Sequence, residues 1–248
     1  MGILDFFKKE QKKSGSLDLT WMGTDMHSHL IPGIDDGAKT LDQSLALIKR
    51  MQGYGLKKII TTPHIMVEFY KNTPEIILSG LEKLQKALIS DGMHISVKAA
   101  AEYNIDEAFL EMVRNGEELL TIHDNLILVE TSFINKPSIL LDTLFELELR
   151  GFQPVLAHPE RYYYLMSDKS LQEDLLDRNV YFQANLLSFT GFYSKDVQRF
   201  AERLVDEKRI KLVGTDCHNM RYLDNMEQLT SSKYYEKLQG LNLLNHTL

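Results

Sequence analysis

Paired side chains able to hold a metal ion occur near both ends of the chain. In Asp25-Met26-His27-Ser28-His29 the imidazoles are two residues apart on an extended stretch, so both project to one face and can reach a single cation. Asp216-Cys217-His218 repeats that spacing, and Cys217 between the two should face away. Thr61-Thr62-Pro63-His64 and Ala157-His158-Pro159-Glu160-Arg161 each set a histidine beside a proline just past an apolar run, where a restricted backbone aims the side chain. Glu102 follows Ala99-Ala100-Ala101, and Glu130 follows Leu126-Ile127-Leu128-Val129. A carboxylate at the end of such a buried run needs hydrogen bonds or a compensating cation. The turn Ile31-Pro32-Gly33-Ile34-Asp35-Asp36-Gly37 adds two acids near the first histidine pair. Thr40 is the better N-cap for the helix that follows, which leaves those acids free for chemistry. His94, His123 and His246 lie before strands or in the tail and read as surface residues.

Five histidines and several carboxylates exceed what one catalytic zinc takes, so a cluster of two or three ions is implied. Imidazole and oxygen ligands without a thiolate suit Mn, Fe or Zn. Sites of this kind clamp the attacking and leaving oxygens of phosphoryl transfer and generate hydroxide at neutral pH. Phosphate-ester hydrolysis is therefore the leading reaction class.

The elements that must bring these residues together follow from the hydropathy pattern. From Trp21 onward, short β-type runs alternate with amphipathic helical stretches, the pattern of βα units around a parallel sheet. The expected strands are 22–26, 57–62, 95–101, 126–131, 153–157, 180–184 and 210–215. Helices are expected over 41–52 and over 73–90, the latter with Ile77, Leu81, Leu84 and Leu88 on one stripe. Glycine-containing turns at Gly53, Gly55, Gly92, Gly116 and Gly151 separate the units. The pattern predicts a TIM-like α/β barrel of seven βα units, closed or nearly so. The ligand-type residues fall at the C-terminal ends of six of the seven strands, which in such a barrel form the rim where active sites are built. Residues 21–248 read as one domain, and residues 1–20 as a lead-in that is flexible or a short helix.

Composition narrows the function classes. The 248 residues are 44% hydrophobic and 25% charged, enough apolar material for a large core. With 35 acidic against 28 basic residues the formal net charge is −7, which argues against nucleic acid as a partner. No apolar run approaches the roughly 18 residues needed to span a bilayer. The single cysteine excludes an internal disulfide, and the chain reads as cytoplasmic. The first residues do not form a signal peptide, and Phe6 stands where an N-myristoylation signal wants Ser or Thr. Phe6, Phe7 and the lysines after them leave open a peripheral contact at the inner face of a membrane, with a frayed polar lead-in as the favoured reading.

Taken together, residues 25–38, Thr61-Thr62-Pro63-His64, Glu102, Glu130, His158-Pro159-Glu160-Arg161-Tyr162 and Gly214-Thr215-Asp216-Cys217-His218-Asn219 resemble motifs of the polymerase and histidinol phosphatase (PHP) superfamily. Within it the chain is similar to the bacterial capsule-type, manganese-dependent protein-tyrosine phosphatases. The resemblance spans about Asp25 to Asn219 and implies the PHP barrel with a trinuclear rim site. It assigns His27, His29, Glu102 and Asp216 to one metal. A second would share Glu102 and take Glu130 and His158. The third would be held by Asp36, His64 and His218. Arg161 would meet the phosphate as a bidentate cation, and Arg161, Asp36 and His64 would serve catalysis. The implied cofactor is two or three Mn ions, with Fe or Zn as alternatives. A metal-bound hydroxide would attack phosphorus, and the implied substrate is a phosphotyrosine protein, a bacterial tyrosine autokinase of capsule or exopolysaccharide synthesis.

The nearest rival is a small-molecule phosphatase of the histidinol-phosphate kind on the same scaffold; a non-catalytic adaptor is another. Hydrophobic and aromatic residues after His64 (Met66, Val67, Phe69, Tyr70) and after Arg161 (Tyr162, Tyr163, Tyr164) are candidates to flank a phosphotyrosine ring or to pack. A cysteine-based tyrosine phosphatase needs Cys-x5-Arg, whereas Arg221 lies four residues after Cys217 with no glycine between them. A metal amidohydrolase typically has a bridging lysine where this chain has Glu130.

Overall fold

The computed structural model describes residues 17–248. Most of the expected lead-in, residues 1–16, lies outside them; Leu17 and Leu19 are buried, and the Leu19 amide donates to the Tyr54 carbonyl at 2.8 Å. The strands form two parallel sheets. One holds β1 (Thr24–Asp25), β2 (Lys58–Thr61) and β4 (Ser96–Ala99) in that order. The other runs β3 (His64–Ile65), β5 (Glu102–Asn104), β6 (Leu126–Glu130), β7 (Gln153–Ala157), β8 (Tyr181–Asn185) and β9 (Ile210–Gly214).

Two expected strands therefore stop short, and each is followed by a separate piece. β2 ends at Thr61 and β3 begins at His64, because Pro63 has no amide to donate to a ladder. The next run also breaks, between Ala99 and Glu102, where no proline intervenes. Pairing then resumes with His64 opposite Glu102, so the break sets two site residues side by side. The strand expected over 22–26 shrinks to two residues, since Thr20–Met22 form a 3-10 turn. β7 has the expected bounds, and β6, β8 and β9 differ by one residue at one or both ends. Beyond β1 and β9 the chains run side by side: the Asp216 amide donates to the His27 carbonyl at 2.8 Å and the His29 amide to the Cys217 carbonyl at 2.9 Å.

Helices α1 (Leu41–Gly53) and α2 (Pro74–Ser90) start where local chemistry dictates. The side chains of Thr40 and Thr73 accept the amides of Gln43 and Ile76, and Pro74 opens α2. α3 (Glu107–Arg114) and α4 (Leu140–Leu149) follow β5 and β6. Later come α5 (Tyr163–Ser167), α6 (Lys169–Asp177), α7 (Lys195–Asp206), α8 (Met220–Met226) and α9 (Tyr235–Gln239). Among the described residues no helix is long and apolar enough to cross a membrane.

Strand alternation sorts side chains into two apolar layers. Ile127, Val129, Leu156, Phe182 and Ala184 belong to the large cluster that also buries the helix stripes. Leu128, Val155 and Ala157 face a smaller cluster with Met26, Ile60, Ala100 and Leu212. Glu130 follows Leu128 by two and therefore shares this second face, at its C-terminal edge.

Candidate metal centre

That edge collects every ligand-type residue named from the sequence. The Nε2 atoms of His27 and His29 lie 3.4 Å apart. Asp216 Oδ1 is 3.4 Å from each, and Glu102 Oε2 is 3.1 Å from His27 and 3.4 Å from His29. Glu102 Oε1 reaches His158 Nε2 at 3.0 Å, and Glu130 Oε2 lies 3.9 Å from that nitrogen. His64 Nδ1 faces Glu130 Oε1 at 3.0 Å and Glu102 Oε2 at 3.2 Å. Asp36 Oδ1 closes the mouth, 3.5 Å from His64 Nε2 and 3.3 Å from His218 Nε2. These atoms make overlapping groups of three or four donors, each compact enough for one ion, with Glu102 in two of them.

The protein around the cluster sets which nitrogen faces inward in three of the five rings. His27 Nδ1 donates to Gln183 Oε1 at 2.8 Å, His29 Nδ1 to Asp35 Oδ2 at 2.8 Å, and His218 Nδ1 to the Asp216 carbonyl at 2.8 Å. With Nδ1 donating outward, each Nε2 is the ring atom turned toward the shared space, the arrangement of a metal-ligating imidazole. His64 Nδ1 and Glu130 Oε1 are buried and have no hydrogen-bond partner. Burial works against charge on both sides, yet the surrounding carboxylates hold the His29 ring well above the ordinary imidazole range. Despite its own burial, and because of the histidines around it, Glu102 stays well below the ordinary carboxylate range. Buried carboxylates and inward-facing ring nitrogens thus fit cations as their common partner.

Backbone strain sits at two of these residues. His158 has φ 34° and Asp216 φ 50°, a left-handed conformation that costs L-residues about 1–2 kcal/mol. His158 also precedes Pro159, and its loop is braced by Glu160, whose buried Oε1 accepts the Asn185 amide at 2.9 Å and the Ser188 hydroxyl at 2.7 Å. Close packing matters as well: a Cβ at Gly214 would lie 2.7 Å from that of His27, and one at Gly37 would collide with the His29 backbone.

Arg161 leaves Glu160 to β8 and pairs with Asp216, Nη1 to Oδ2 at 3.1 Å. Its guanidinium lies 4.3 Å from the ring centroids of both Phe133 and Tyr193. Burial disfavours its charge, but Tyr193 and Asp216 raise its pKa above the ordinary guanidinium value. It lines a cavity of about 270 Å³ together with Asp36, His64, His218, Glu130 and Tyr222, which puts a fixed cation beside the candidate ligands.

The residues flanking the site divide. Met66, Phe69 and Tyr70 line this cavity, and the Tyr70 ring stacks on His64 with centroids 5.4 Å apart. Tyr162 is packing instead: it is fully buried, and its hydroxyl accepts the Thr131 amide at 3.1 Å. Tyr164 bonds Thr131, while Tyr163 is exposed. Cys217 is buried in the helix-side cluster, facing away as expected, and its burial pushes the thiol well up. His94 and His246 are exposed, and His123 is half-buried away from the cluster.

Sequence reasoning missed three polar residues, Gln183, Asn185 and Tyr193, and did not tell the roles of Asp35 and Asp36 apart. Gln183 and Asn185, on the one strand without a ligand-type residue, form a relay: Gln183 Nε2 donates to Asn185 Oδ1 at 3.0 Å, and Asn185 Nδ2 to Asp216 Oδ2 at 2.7 Å. The signal was present, since two amides at i and i+2 inside a buried strand need partners. Asp35 is the buried member of the acid pair; beyond His29 it accepts the Gly37 amide at 2.9 Å and the His64 amide at 3.2 Å. Tyr193 supplies one face of the aromatic cage on Arg161.

Residues 23–240 match the family described as "Capsular polysaccharide synthesis, CpsB/CapC". The chain is 31% identical over 198 residues to the tyrosine-protein phosphatase YwqE of Bacillus subtilis (strain 168), covering 79% of this chain and 78% of the relative. To the tyrosine-protein phosphatase CpsB of Streptococcus pneumoniae it is 25% identical over 225 residues, 86% of this chain and 91% of that one. A solved structure from work on YwqE and CpsB, described as "unique metal-dependent tyrosine phosphatases", superposes with a TM-score of 0.78 at 27% identity, covering 90% of each chain. With nearly all the described residues inside the matched span and the ligand-type side chains on one edge, this chain belongs to the CpsB/CapC family of capsular polysaccharide synthesis proteins.

Proposed function

We propose that this chain is a metal-dependent protein-tyrosine phosphatase, holding two or three Mn ions and acting on a bacterial tyrosine autokinase of capsule synthesis in the cytoplasm, at or near the inner face of the membrane. The observation that carries the reading is the convergence of five imidazoles and four carboxylates, their free atoms turned inward, beside the caged cation Arg161. Family membership and the phosphatase relatives support it. In this reading one ion is held by His27, His29, Glu102 and Asp216, a second by Glu102, Glu130 and His158, and a third by Asp36, His64 and His218. The fold is a distorted seven-unit barrel in a single domain. Treating β2 with β3 and β4 with β5 as interrupted strands supports this, as does the bridge between Ser28 and Cys217.

Ions so held supply activated water and neutralise charge on phosphoryl oxygens. The chain's own residues do the positioning. Arg161, sandwiched by Phe133 and Tyr193, presents a planar fork to two phosphoryl oxygens, and Asp216 keeps it from swinging away. Gln183 and Asp35 fix the donor nitrogens of His27 and His29, and Asp36 and His64 border the mouth where substrate enters. Tyrosine, with a phenol pKa of about 10, leaves without a strong general acid, which suits a site whose cavity wall is mostly ligands and aromatic rings.

Elemental analysis and a phosphatase panel test the proposal. Protein stripped by chelator should lose phosphotyrosine hydrolysis, regain it with Mn and carry two or three ions per chain. It should prefer phosphotyrosine to phosphoserine and histidinol phosphate. Cys217→Ser should stay near wild type. One ion or none after reconstitution, or an inactive Cys217→Ser that keeps its metals, would overturn it.

A further inference from the structure

A second cavity, of about 670 Å³, opens from the same mouth. Met66, Phe69, Glu130 and Phe133 line both spaces, so they form one continuous surface. The larger space is walled by the segment after β3, the start of α3 and the loop after β6. Its outer wall carries large apolar side chains left in water: Phe69 is 71% exposed, Ile134 69% and Val67 44%. Its charged lining is all acidic, Glu68, Asp106, Glu107 and Glu130, with no lysine or arginine among the lining residues. Asp106 also caps α3 by accepting the Phe109 amide at 2.9 Å, which fixes one of these charges in place.

The size of this outer space exceeds what a small phosphate ester needs. The inner cavity, about 270 Å³, is on the scale of a phosphoryl group and one aromatic ring, so a small substrate would leave the outer one unused. An acidic, apolar space larger than the inner cavity and joined to it matches a chain segment extending from the phosphotyrosine at about 3.3–3.6 Å per residue. We propose that this cavity is the peptide subsite of the phosphatase, binding a bulky apolar side chain next to the phosphotyrosine and a lysine or arginine just beyond it. The inference rests on the phosphatase reading and names its substrate class. The apolar neighbour contacts Val67, Phe69 and Ile134, and the basic residue meets Glu68 and Glu107. Charge complementarity and continuity with the inner cavity select a basic phosphopeptide over an acidic one.

Steady-state kinetics on Mn-loaded enzyme compares free phosphotyrosine with two phosphotyrosine peptides, one with Leu then Lys beside the phosphotyrosine and one with Ser then Glu. The Leu-Lys peptide should exceed the Ser-Glu peptide in kcat/KM by about tenfold or more, the scale of one well-placed apolar contact. Val67→Ser and Ile134→Ser, both at exposed positions, should erase most of that advantage while free phosphotyrosine hydrolysis stays within twofold. Glu68→Lys should shift preference toward the Ser-Glu peptide. Equal rates on both peptides, or variants that slow free phosphotyrosine as much as peptide, overturn the subsite while leaving the phosphatase standing. Failure of the metal-loaded wild type to hydrolyse free phosphotyrosine sinks both.

Discussion

At the C-terminal ends of the strands, His27, His29, His64, His158 and His218 crowd against Glu102, Glu130 and Asp216, two residues have left-handed backbones, and buried polar atoms lack partners. Away from that end the inner face is apolar. Leu244 and Leu248 pack on the inner cluster beside Leu126 and Tyr181. The buried Asn245 amide is fully used: its Oδ1 accepts the Val213 amide at 2.9 Å, and its Nδ2 donates to the carbonyls of Thr24 and Val213 at 2.9 and 2.8 Å. The contrast shows that apolar packing and a fully bonded amide hold the strands at one end while the other end gathers the like charges and inward-facing ligand atoms needed for chemistry.

Substitutions at the two ends should therefore separate activity from stability. Glu102→Ala has the largest expected effect: a carboxylate touching His27, His29, His64 and His158 is lost, so more than one ion should leave and phosphatase activity should fall about 10³-fold or more. Metal counting and kinetics read it, and a variant that keeps full metal content would remove Glu102 from its bridging place. Arg161→Ala should keep metals and fold but lower kcat/KM for aryl phosphates about 10²-fold, or about 2.7 kcal/mol of transition-state stabilisation. Arg161→Lys should do little better, because lysine lacks the planar fork. A metal-replete Arg161→Ala enzyme within threefold of wild type would limit this residue to its pairing with Asp216.

Smaller effects sharpen the boundary between the regions. Asp35→Ala removes the acceptor that orients His29 and should weaken metal affinity about 10–100-fold, measured by competition with a chelator. An unchanged affinity would mean that packing alone orients the ring. Asn245→Ala should behave in the opposite sense. It removes the partner of the Val213 amide and of the Thr24 and Val213 carbonyls, costs about 2 kcal/mol and lowers Tm by roughly 4–8 °C, while turnover per folded, metal-loaded molecule at 25 °C is unchanged. Loss of turnover without loss of Tm would break the division of labour between the two ends.

The ligand-type residues were legible because their signal is local. His-x-His and Asp-x-His need only an extended backbone to share a face, and Glu130 needs only the period of its strand. Asp35 and Asp36 show the limit of that logic. Adjacent and chemically alike, they take different roles: Asp35 turns inward to His29, while Asp36 stays half-exposed between His64 and His218. Nothing in the turn's composition distinguishes them; the distance from each carboxylate to rings on other strands does.

The order of strands and helices, the polar ends of the strands and the types of metal-binding atoms were determined by the sequence alone, since periodicity and side-chain chemistry are properties of short segments. Tertiary structure decided the rest: the break that sets His64 opposite Glu102, the Gln183–Asn185 relay, the aromatic cage on Arg161 and the acidic cavity beside Glu130. Each of these depends on residues tens of positions apart meeting within a few ångströms. Such distances are set only when the strands pair and the two apolar layers close.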